Sequence, residues 1–239
     1  MIKLLTAYSH GNEFYLLFPW ADGGNLGDLW KRGYPGAADP PRDQRLARWM
    51  AKQILGIVEG LKIIHYPDDV EQREDPVSRV EPSLLSPRSD PKKYGRHGDL
   101  KPENILWFKT YHHDDQCQFM GLLTISDFGM TSFHESQTRS MVNPKSIGVS
   151  LTYRAPEYDI KEHISRSYDI WSLGCVLLEF VTWYLLGWDG VDGFSKDRMD
   201  DDPNEFPQDV FFTLVQENAP NGHPRYLARC KMCVVKVSP

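Results

Sequence analysis

The start of the chain changes from a strand pattern to a helical one. Residues 2–9 and 13–19 are predicted as two β-strands, joined through His10-Gly11-Asn12, where Gly and Asn suit a tight turn. The periodicity is then lost at two glycines, and residues 26–32 read as a short helix. A stretch rich in proline and glycine, residues 35–41, ends that helix. The pattern therefore predicts a β-hairpin, a loop and a short helix.

A long amphipathic helix is predicted from about Asp43 to His65. Apolar residues recur there at spacings of three and four, which places them on one face of a helix. That face consists of Leu46, Trp49, Met50, Ile54, Ile57, Leu61 and Ile64. Asp43 comes shortly after two prolines and is the predicted N-cap. We expect this helix to belong to the core.

The helix is followed by a segment that has almost nothing to bury. Residues 66–94 contain five prolines and twelve charged residues. A chain of this composition cannot bury enough apolar surface to offset the entropy of ordering it. The segment is therefore predicted to be a disordered or loosely attached insertion.

The most apolar stretch runs from Ile170 to Trp188, nineteen residues in which Glu179 is the one charge. Its length approaches that of a membrane span. Because Glu179 lies near the middle and aspartates stand at both ends, we predict a buried core helix.

Residues 189–209 hold seven aspartates and one glutamate, which predicts a solvated acidic loop and not a metal site. Residues 210–215 are predicted as a short helix.

Composition narrows the class of protein. A chain of 239 residues with 41% hydrophobic residues can bury a core in one large domain or two lobes. The net charge of −6 predicts neither a nucleic-acid partner nor an anionic membrane partner. The four cysteines are too scattered for a disulfide framework, and Cys230-Lys231-Met232-Cys233 lacks the second ligand pair of a zinc site. With no signal peptide recognised, a cytoplasmic or nuclear location is predicted.

Three short motifs carry the candidate chemistry. His97-Gly98-Asp99-Leu100-Lys101-Pro102-Glu103-Asn104 gathers a carboxylate, an ammonium and a side-chain amide within eight residues. Ile125-Ser126-Asp127-Phe128-Gly129 ends an apolar strand-like run, and Tyr153-Arg154-Ala155-Pro156-Glu157 follows. In this order and spacing, the chain resembles the eukaryotic-type protein kinases. These segments match the family's catalytic loop, its metal-binding Asp-Phe-Gly motif and its Ala-Pro-Glu motif.

The resemblance implies an α+β, protein-kinase-like bilobal fold with an incomplete small β lobe and a mainly helical large lobe. Residues 1–22 would form part of the small lobe and the hinge, and residues 23–188 the large lobe, interrupted by 66–94. Residues 189–239 would be an acidic loop and a divergent tail. The family's glycine-rich loop, its lysine strand and the helix with the partner glutamate are not found before the hairpin. We therefore expect a kinase domain truncated in the small lobe and late in the large lobe.

The motif residues fit the tasks of phosphoryl transfer, which needs a held γ-phosphate, neutralised charge and an aimed nucleophile. Asp99 would accept or orient the proton of a substrate hydroxyl, and Lys101 would hold the γ-phosphate. Asn104 and Asp127 would offer oxygen ligands to Mg²⁺, a hard ion that prefers them. The alternative is structural: Asp99 and Asn104 merely organise a turn, and Asp127 caps a loop.

By the same resemblance, the nucleotide would lie against the hinge. The backbone at Pro19 and Ala21 would face the adenine of ATP, and Asn25 would lie near the ribose. Leu106 would form the adenine floor, and Phe18 would take the gatekeeper position. The alternative for residues 18–25 is an ordinary hairpin and loop.

Two further residues take structural roles in the resemblance, and one position departs from it. Ser150 would bond to the catalytic Asp and Lys, and Asp169 would hold the backbone of the catalytic loop. Gly98 stands where the family has an arginine that receives the phosphorylated activation loop. Regulation by that phosphate is therefore not predicted, unless the nearby Arg96 takes over the role.

The resemblance predicts a protein serine/threonine kinase that uses ATP and Mg²⁺ to phosphorylate a protein substrate. The second hypothesis is a pseudokinase or interaction module without phosphotransfer. A small-molecule phosphotransferase is less favoured, because Ala155-Pro156-Glu157 belongs to the platform for protein substrates. The oligomeric state is not predicted. Two strands without sheet partners should expose an apolar face, so the chain is expected to aggregate or to need a partner.

Overall fold

The computed structural model describes residues 4–32, 44–67, 93–110, 119–135, 151–160, 164–204, 206–218 and 224–236. Three sequence predictions lie outside these ranges: Asp43 as an N-cap, most of the 66–94 insertion, and the role of Ser150.

An antiparallel hairpin stands at the start of the described chain. β1 (Thr6–His10) pairs with β2 (Glu13–Leu17), and Gly11 makes the turn at φ +61°. The rings of Tyr8 and Tyr15 stack across the pair with their centroids 5.0 Å apart. Every residue of both strands is exposed. The predicted hairpin is thus confirmed, but it buries neither of its faces.

Two helices follow the short strand β3 (Gly24–Asn25), and both were predicted. They are α1 (Leu26–Arg32) and α2 (Gln44–His65). On the predicted apolar face of α2, Met50 and Ile54 are partly buried and the other five residues are buried. Two polar side chains fix α2 to the neighbouring chain: Trp49 donates to the Gly121 carbonyl at 2.8 Å, and Gln53 accepts from the Leu123 amide at 2.9 Å.

Four strands after α2 build two small sheets. They are β4 (Lys93–Arg96), β5 (Ile105–Phe108), β6 (Leu122–Ile125) and β7 (Ser132–Glu135). β5 lies between β3 and β6, and β4 pairs with β7; all the pairs are antiparallel. The 66–94 insertion was drawn two residues too long, because Lys93 and Tyr94 belong to β4. Its ends are also held together, since the Tyr66 and Tyr94 rings lie 6.1 Å apart and Arg166 stacks over both.

After the short helix α3 (Pro156–Asp159), the chain enters its longest element, α4 (Ser167–Asp200). Gly187 has non-helical angles, φ 73° and ψ −166°, so α4 consists of two helical segments that meet at a kink. The predicted acidic loop at 189–209 is therefore wrong up to Asp200. Although this stretch is rich in aspartate, Val191, Phe194 and Arg198 recur at helical spacing and are buried.

α4 is long and apolar enough to cross a membrane, and half of its most apolar window is buried inside the protein. Its apolar residues have partners within the fold. Phe180 contacts the rings of Trp30, Trp49 and Trp183, with centroid distances of 5.9–6.2 Å. Trp183 also donates to the Trp30 carbonyl at 3.2 Å. This packing accounts for the apolar run as a core helix.

The end of the described chain is a second hairpin, where a short helix was predicted. β8 (Phe212–Asn218) pairs with β9 (Pro224–Cys230), and α5 (Met232–Val235) follows. The prediction was wrong because an apolar run of five or six residues fits a buried strand as well as a helix. Pairing with a strand that begins six residues after β8 ends decided between the two.

Candidate active site

The backbone of the motif at residues 97–104 is held by one buried carboxylate. Asp169 of α4 is fully buried and accepts hydrogen bonds from the amides of His97 and Gly98, both at 2.8 Å. Its Oδ2 also lies 2.8 Å from Nε2 of His65, at the end of α2. Gly98 has φ +86°, where glycine avoids the strain that a side chain would bring. Asp169 thus joins α2, α4 and the loop, as the resemblance implied.

The hydrogen bonds of His97 define its tautomer. The Asp99 amide donates to Nδ1 at 3.3 Å, so Nδ1 carries no proton. Nε2 therefore carries the proton and donates to the Ser126 carbonyl at 2.9 Å. The His97 ring also lies 5.7 Å from the Phe128 ring. This fully buried imidazole links the first motif to the second.

Asp99, Lys101 and Asn104 meet at one oxygen atom. Asp99 is 7% exposed, and its Oδ2 lies 2.7 Å from Lys101 Nζ and accepts from Asn104 Nδ2 at 3.0 Å. Nδ2 of Asn104 also donates to the Asp99 carbonyl at 2.8 Å. Among the described residues, Oδ1 of Asp99 receives no hydrogen bond. A carboxylate oxygen in general can take a proton from a hydroxyl group.

The second motif lies directly beside the first. Ile105 pairs with Ile125, and both the amide and the hydroxyl of Ser126 donate to the Asn104 carbonyl, at 2.9 and 3.1 Å. Asp127 comes next, at φ 60° and ψ 74°. Of the described non-glycine residues, it alone has a positive φ. Such backbone strain costs about 1–3 kcal/mol and is concentrated at functional sites.

Part of the structural alternative also holds. Asn104 does organise the turn between residues 99 and 104, and Asp127 does cap the short 3₁₀ turn that begins at Phe128, accepting from the Gly129 amide at 3.2 Å. Asn104 contacts Asp99 through its Nδ2 group, which donates to the carbonyl and to Oδ2 of Asp99. The side-chain oxygen of Asn104 takes no part in these two bonds. Asp127 remains exposed to solvent. Organising the turn and offering oxygen ligands are therefore compatible.

The donor set fits Mg²⁺ better than a softer metal. Asn104 and Asp127 offer an amide oxygen and a carboxylate, which are hard ligands. Within the described ranges, no three His, Cys, Asp or Glu side chains cluster as metal ligands. An ion bound by Asn104 and Asp127 would need further oxygens from phosphate or water, which is typical of Mg²⁺ in nucleotide sites.

The residues predicted for the nucleotide lie along the hinge and β5. Gly23 donates to the Trp107 carbonyl at 2.9 Å, and Asn25 pairs with Leu106, so the hinge and the predicted adenine floor are neighbours. Pro19, Ala21 and Leu106 are half-buried.

Asn25 has a structural role that was not foreseen. Its Oδ1 accepts from the Asp28 amide at 3.0 Å, while Asp28 Oδ2 accepts from the Asn25 amide at 3.1 Å. This reciprocal pair caps the N-terminus of α1. A ribose contact would have to come from the amide nitrogen of Asn25.

Arg96 occupies the space beside Gly98. A Cβ atom on Gly98 would lie 3.6 Å from Arg96 Nε, and Arg96 Nη1 donates to the Ile164 carbonyl at 3.2 Å. Arg96 is 3% exposed, and burial lowers the pKa of its guanidinium, against the opposing effect of Asp169. Where the family has an arginine, this chain has Gly98, and the side chain of Arg96, two residues earlier, lies beside that position.

Sequence reasoning missed several residues that hold the site. His65 was taken only as a helix end, and the pairing of Glu179 with Arg198 (2.7 Å) and of Lys231 with Asp202 (2.9 Å) was not predicted. A charge inside an apolar run, as at Glu179, was the available signal, because a buried carboxylate needs a partner. Nothing local identified which cation it would be.

Comparison with known proteins agrees with this geometry. The family model described as "Protein kinase domain" matches residues 93–206, which include all three motifs. Residues 93–206 therefore form part of a protein kinase domain. The predicted family and the predicted α+β fold class are confirmed.

Individual relatives of this kinase domain are only moderately similar. A "Serine/threonine-protein kinase chk-1" of Caenorhabditis elegans is 28% identical over 83% of the chain and 30% of its own length. A "Probable cyclin-dependent kinase 8" of Dictyostelium discoideum is 34% identical over 36% of the chain and 21% of its own length. A "Probable inactive receptor kinase RLK902" of Arabidopsis thaliana is 28% identical over 76% of the chain. The chain thus spans between a fifth and a third of the length of these relatives.

Proposed function

We propose that the chain is the catalytic part of a protein serine/threonine kinase, which transfers the γ-phosphate of ATP to a protein hydroxyl. The observation that carries the proposal is the arrangement at Asp99, whose Oδ2 contacts Lys101 and Asn104 while Oδ1 remains available. The bonds from Ser126, the residue before Asp127, to the Asn104 carbonyl support Asp127 as the second metal ligand. A base, a cation and two metal ligands would then surround one phosphate position.

Each residue has a defined task in this reaction. Asp99 orients the substrate hydroxyl and takes its proton as the new O–P bond forms and the bond to the β-phosphate oxygen breaks, with ADP as the leaving group. Lys101 offsets negative charge on the transferred group. Asn104 and Asp127 would hold Mg²⁺, which would neutralise negative charge on the phosphates of ATP, the donor of the phosphoryl group. Pro19, Ala21, Asn25 and Leu106 would hold the adenosine moiety.

The assignment to serine and threonine substrates rests on Lys101, two residues after Asp99, and on relatives named as serine/threonine kinases. The substrate is proposed to be a protein, because the family acts on proteins. A cytoplasmic or nuclear location, and the absence of membrane and nucleic-acid partners, remain predictions from composition.

The second candidate is a pseudokinase or interaction module that transfers no phosphate. The relative named as an inactive receptor kinase favours it, as does the hairpin whose apolar residues lie exposed. Against it stands the strained backbone of Asp127, which a scaffold has no chemical reason to retain.

A radiolabelled phosphate transfer assay decides between the two. The chain is incubated with Mg²⁺, γ-labelled ATP and a library of serine- and threonine-containing peptides. We expect weak Mg²⁺-dependent labelling that falls by about a hundredfold or more in Asp99→Asn and Asp127→Ala. Asp192→Ala, which removes an exposed carboxylate of α4, is the control and should retain the labelling.

Two outcomes would contradict the kinase proposal. Labelling that is unchanged in Asp127→Ala would refute the metal assignment. A wild-type chain that binds Mg²⁺ and ATP but labels no peptide, or binds neither, would favour the interaction module.

A further inference from the structure

The segment that carries the third motif is tied to the C-terminal hairpin by two separate polar routes. The substrate platform is defined here as residues 151–159, and the hairpin segment as residues 198–231. The hairpin itself begins after residue 206, where the match to the kinase family ends. Gln208, Asp209 and Lys231 therefore lie outside that match, whereas Arg198 and Asp202 lie inside it.

The first route passes through Arg154. This guanidinium is 6% exposed, and all three of its nitrogens are bound. Nε donates to Asp159 at 2.9 Å, Nη1 to the Leu151 carbonyl at 2.7 Å, and Nη2 to Gln208 Oε1 at 2.6 Å. Arg154 thus holds both ends of the platform, and Gln208 of the hairpin segment fixes the orientation of Arg154.

Gln208 is itself held by Lys231. Lys231 is 2% exposed. Its ammonium group donates to three acceptors: the carbonyls of Arg198 and Gln208, at 2.5 and 2.8 Å, and Oδ2 of Asp202 at 2.9 Å. The same Asp202 oxygen accepts from the Gln208 amide at 3.1 Å. The backbone of Gln208 is therefore fixed on both sides, and its side chain is left for Arg154.

The second route passes through Glu179 of α4. The Tyr153 hydroxyl donates to Oε2 of Glu179 at 2.7 Å, and Arg198 Nη2 donates to Oε1 at 2.7 Å. Arg198 also binds Asp209 at 2.6 Å, and its guanidinium lies 4.1 Å from the centre of the Phe211 ring. Burial alone would lower the pKa of Arg198, but the bonds and charges of Asp209 and Glu179 raise it overall, so the cation persists.

We infer that the hairpin segment positions the substrate platform, with Gln208 as the positioning residue on the first route and Arg198 on the second. This inference rests on the proposed function, since the platform binds substrate only in a working kinase. A buried guanidinium needs all of its bonds. Loss of the Gln208 acceptor should therefore loosen Arg154, and with it the platform, while the Asp99 loop keeps its own support from Asp169.

Gln208→Leu is the variant that tests the first route. It removes the acceptor but keeps the side-chain size and the backbone atoms that bind Lys231 and Asp202. Gln208→Glu keeps an acceptor and should restore the contact. Gln216→Leu, the same change at an exposed position of β8, is the matched control.

Hydrogen exchange of the full chain supplies a readout that needs no catalysis. We expect Gln208→Leu to raise exchange of the platform amides about tenfold, as for a lost bond to a charged group, and to leave residues 97–104 unchanged. Gln208→Glu and Gln216→Leu should match the wild type. Equal exchange in Gln208→Leu and Gln216→Leu would overturn the inference, as would a uniform rise that includes residues 97–104.

Kinetics with a labelled peptide provide the second readout. We expect Gln208→Leu to raise KM for the peptide several-fold while KM for ATP stays constant, and Gln208→Glu to reverse the change. A rise in KM for ATP alone would also overturn the inference. If the wild type transfers no phosphate, the proposed function fails, yet the exchange experiment still decides whether the hairpin segment holds the platform.

Discussion

The two ends of the described chain are both antiparallel hairpins, yet only the second is anchored to the rest of the protein by buried residues at its base. All residues of β1 and β2 are exposed, and Phe14 (86%) and Leu16 (62%) point apolar surface at water. The segment leading into β8 is buried instead: Val210, Phe211 and Phe212 are at most 4% exposed. The strand pairing itself is similar in the two hairpins: both are antiparallel, with five residue pairs in the first and seven in the second.

The difference lies in what each hairpin contacts. An isolated two-stranded hairpin is marginal in water, because its ladder bonds replace bonds to solvent and bury little apolar surface. Phe211 packs on Phe194 and Tyr153, and Lys231 closes the segment with three bonds. Among the described residues, the side-chain hydrogen bonds and ring contacts of the first hairpin lie within it: the Tyr8–Tyr15 stack, and the Tyr15 hydroxyl, which donates to Glu13 at 2.6 Å. Tertiary contacts, not strand pairing, decide which hairpin contributes to stability.

The strongest test of this contrast is Lys231→Met. The variant leaves Asp202 buried without its cation, so we expect the free energy of unfolding to fall by about 3–5 kcal/mol. Urea denaturation followed by circular dichroism measures it. Lys196→Met is the control, because Lys196 pairs with Asp192 at the surface and should cost at most about 1 kcal/mol. Equal losses in the two variants would contradict the anchoring role of Lys231.

The second-largest effect is expected at low pH, where the anchored hairpin should contribute less to the free energy of unfolding. Burial alone would raise the pKa of Asp202, but the bonds from Lys231 and from the Asn204 and Gln208 amides lower it overall. A carboxyl whose pKa is lower in the folded state stabilises the fold above its unfolded pKa of about 3.9, and this stabilisation is lost as pH falls through the folded pKa. The urea midpoint should therefore drop below about pH 4. The drop should be smaller in Lys231→Met, and an identical pH dependence in both proteins would refute this assignment.

Changing the free hairpin should affect association more than stability. Phe14→Lys combined with Leu16→Lys places charge on an exposed strand, so the free energy of unfolding should change by only about 0.5 kcal/mol. Self-association, measured by light scattering during size-exclusion chromatography, should fall. Leu214→Lys, at a half-buried position of β8, is the contrasting variant and should destabilise the fold. A wild-type chain that is already monodisperse would argue against an aggregation-prone hairpin.

The smallest effect is expected at the surface of the anchored hairpin. Arg229 Nη2 lies 3.1 Å from Glu217 Oε1, and both side chains are largely exposed. Arg229→Gln should therefore change the free energy of unfolding by at most about 1 kcal/mol, and raising the salt concentration should remove the difference. A loss comparable with that of Lys231→Met would mean that burial is not what separates the two ion pairs.

Local signals were sufficient for much of the fold and for the candidate residues. Helical spacing located α2 within a residue, and a Gly-Asn turn located the first hairpin, because both depend on residues close in sequence. Asp99, Lys101, Asn104 and Asp127 were selected from short motifs, and the structure brings the segments that carry them together. Their catalytic and metal-binding roles remain proposals.

Apart from the contact of Asp169 with the 97–104 loop, long-range partners were not predicted from the sequence. Residues 189–200 looked like a solvated loop because seven aspartates follow Trp188, whereas helix α4 continues there over a buried face. Residues 210–215 looked helical because an apolar run has no intrinsic period, and pairing with β9 makes residues 212–215 part of a strand. Both errors occurred where tertiary packing outweighed local propensity.

The amino-acid sequence by itself determined the resemblance to the kinase family, the periodic core helices and the identities of the candidate catalytic residues, since these depend on residue type and short spacing. The tertiary structure alone decided that His65 joins Asp169, that Lys231 and Arg198 bind buried carboxylates, and that buried residues anchor the base of one hairpin while the other is exposed. The physical reason is that a buried charge is stable only beside a partner, and that partner lies in a distant part of the chain.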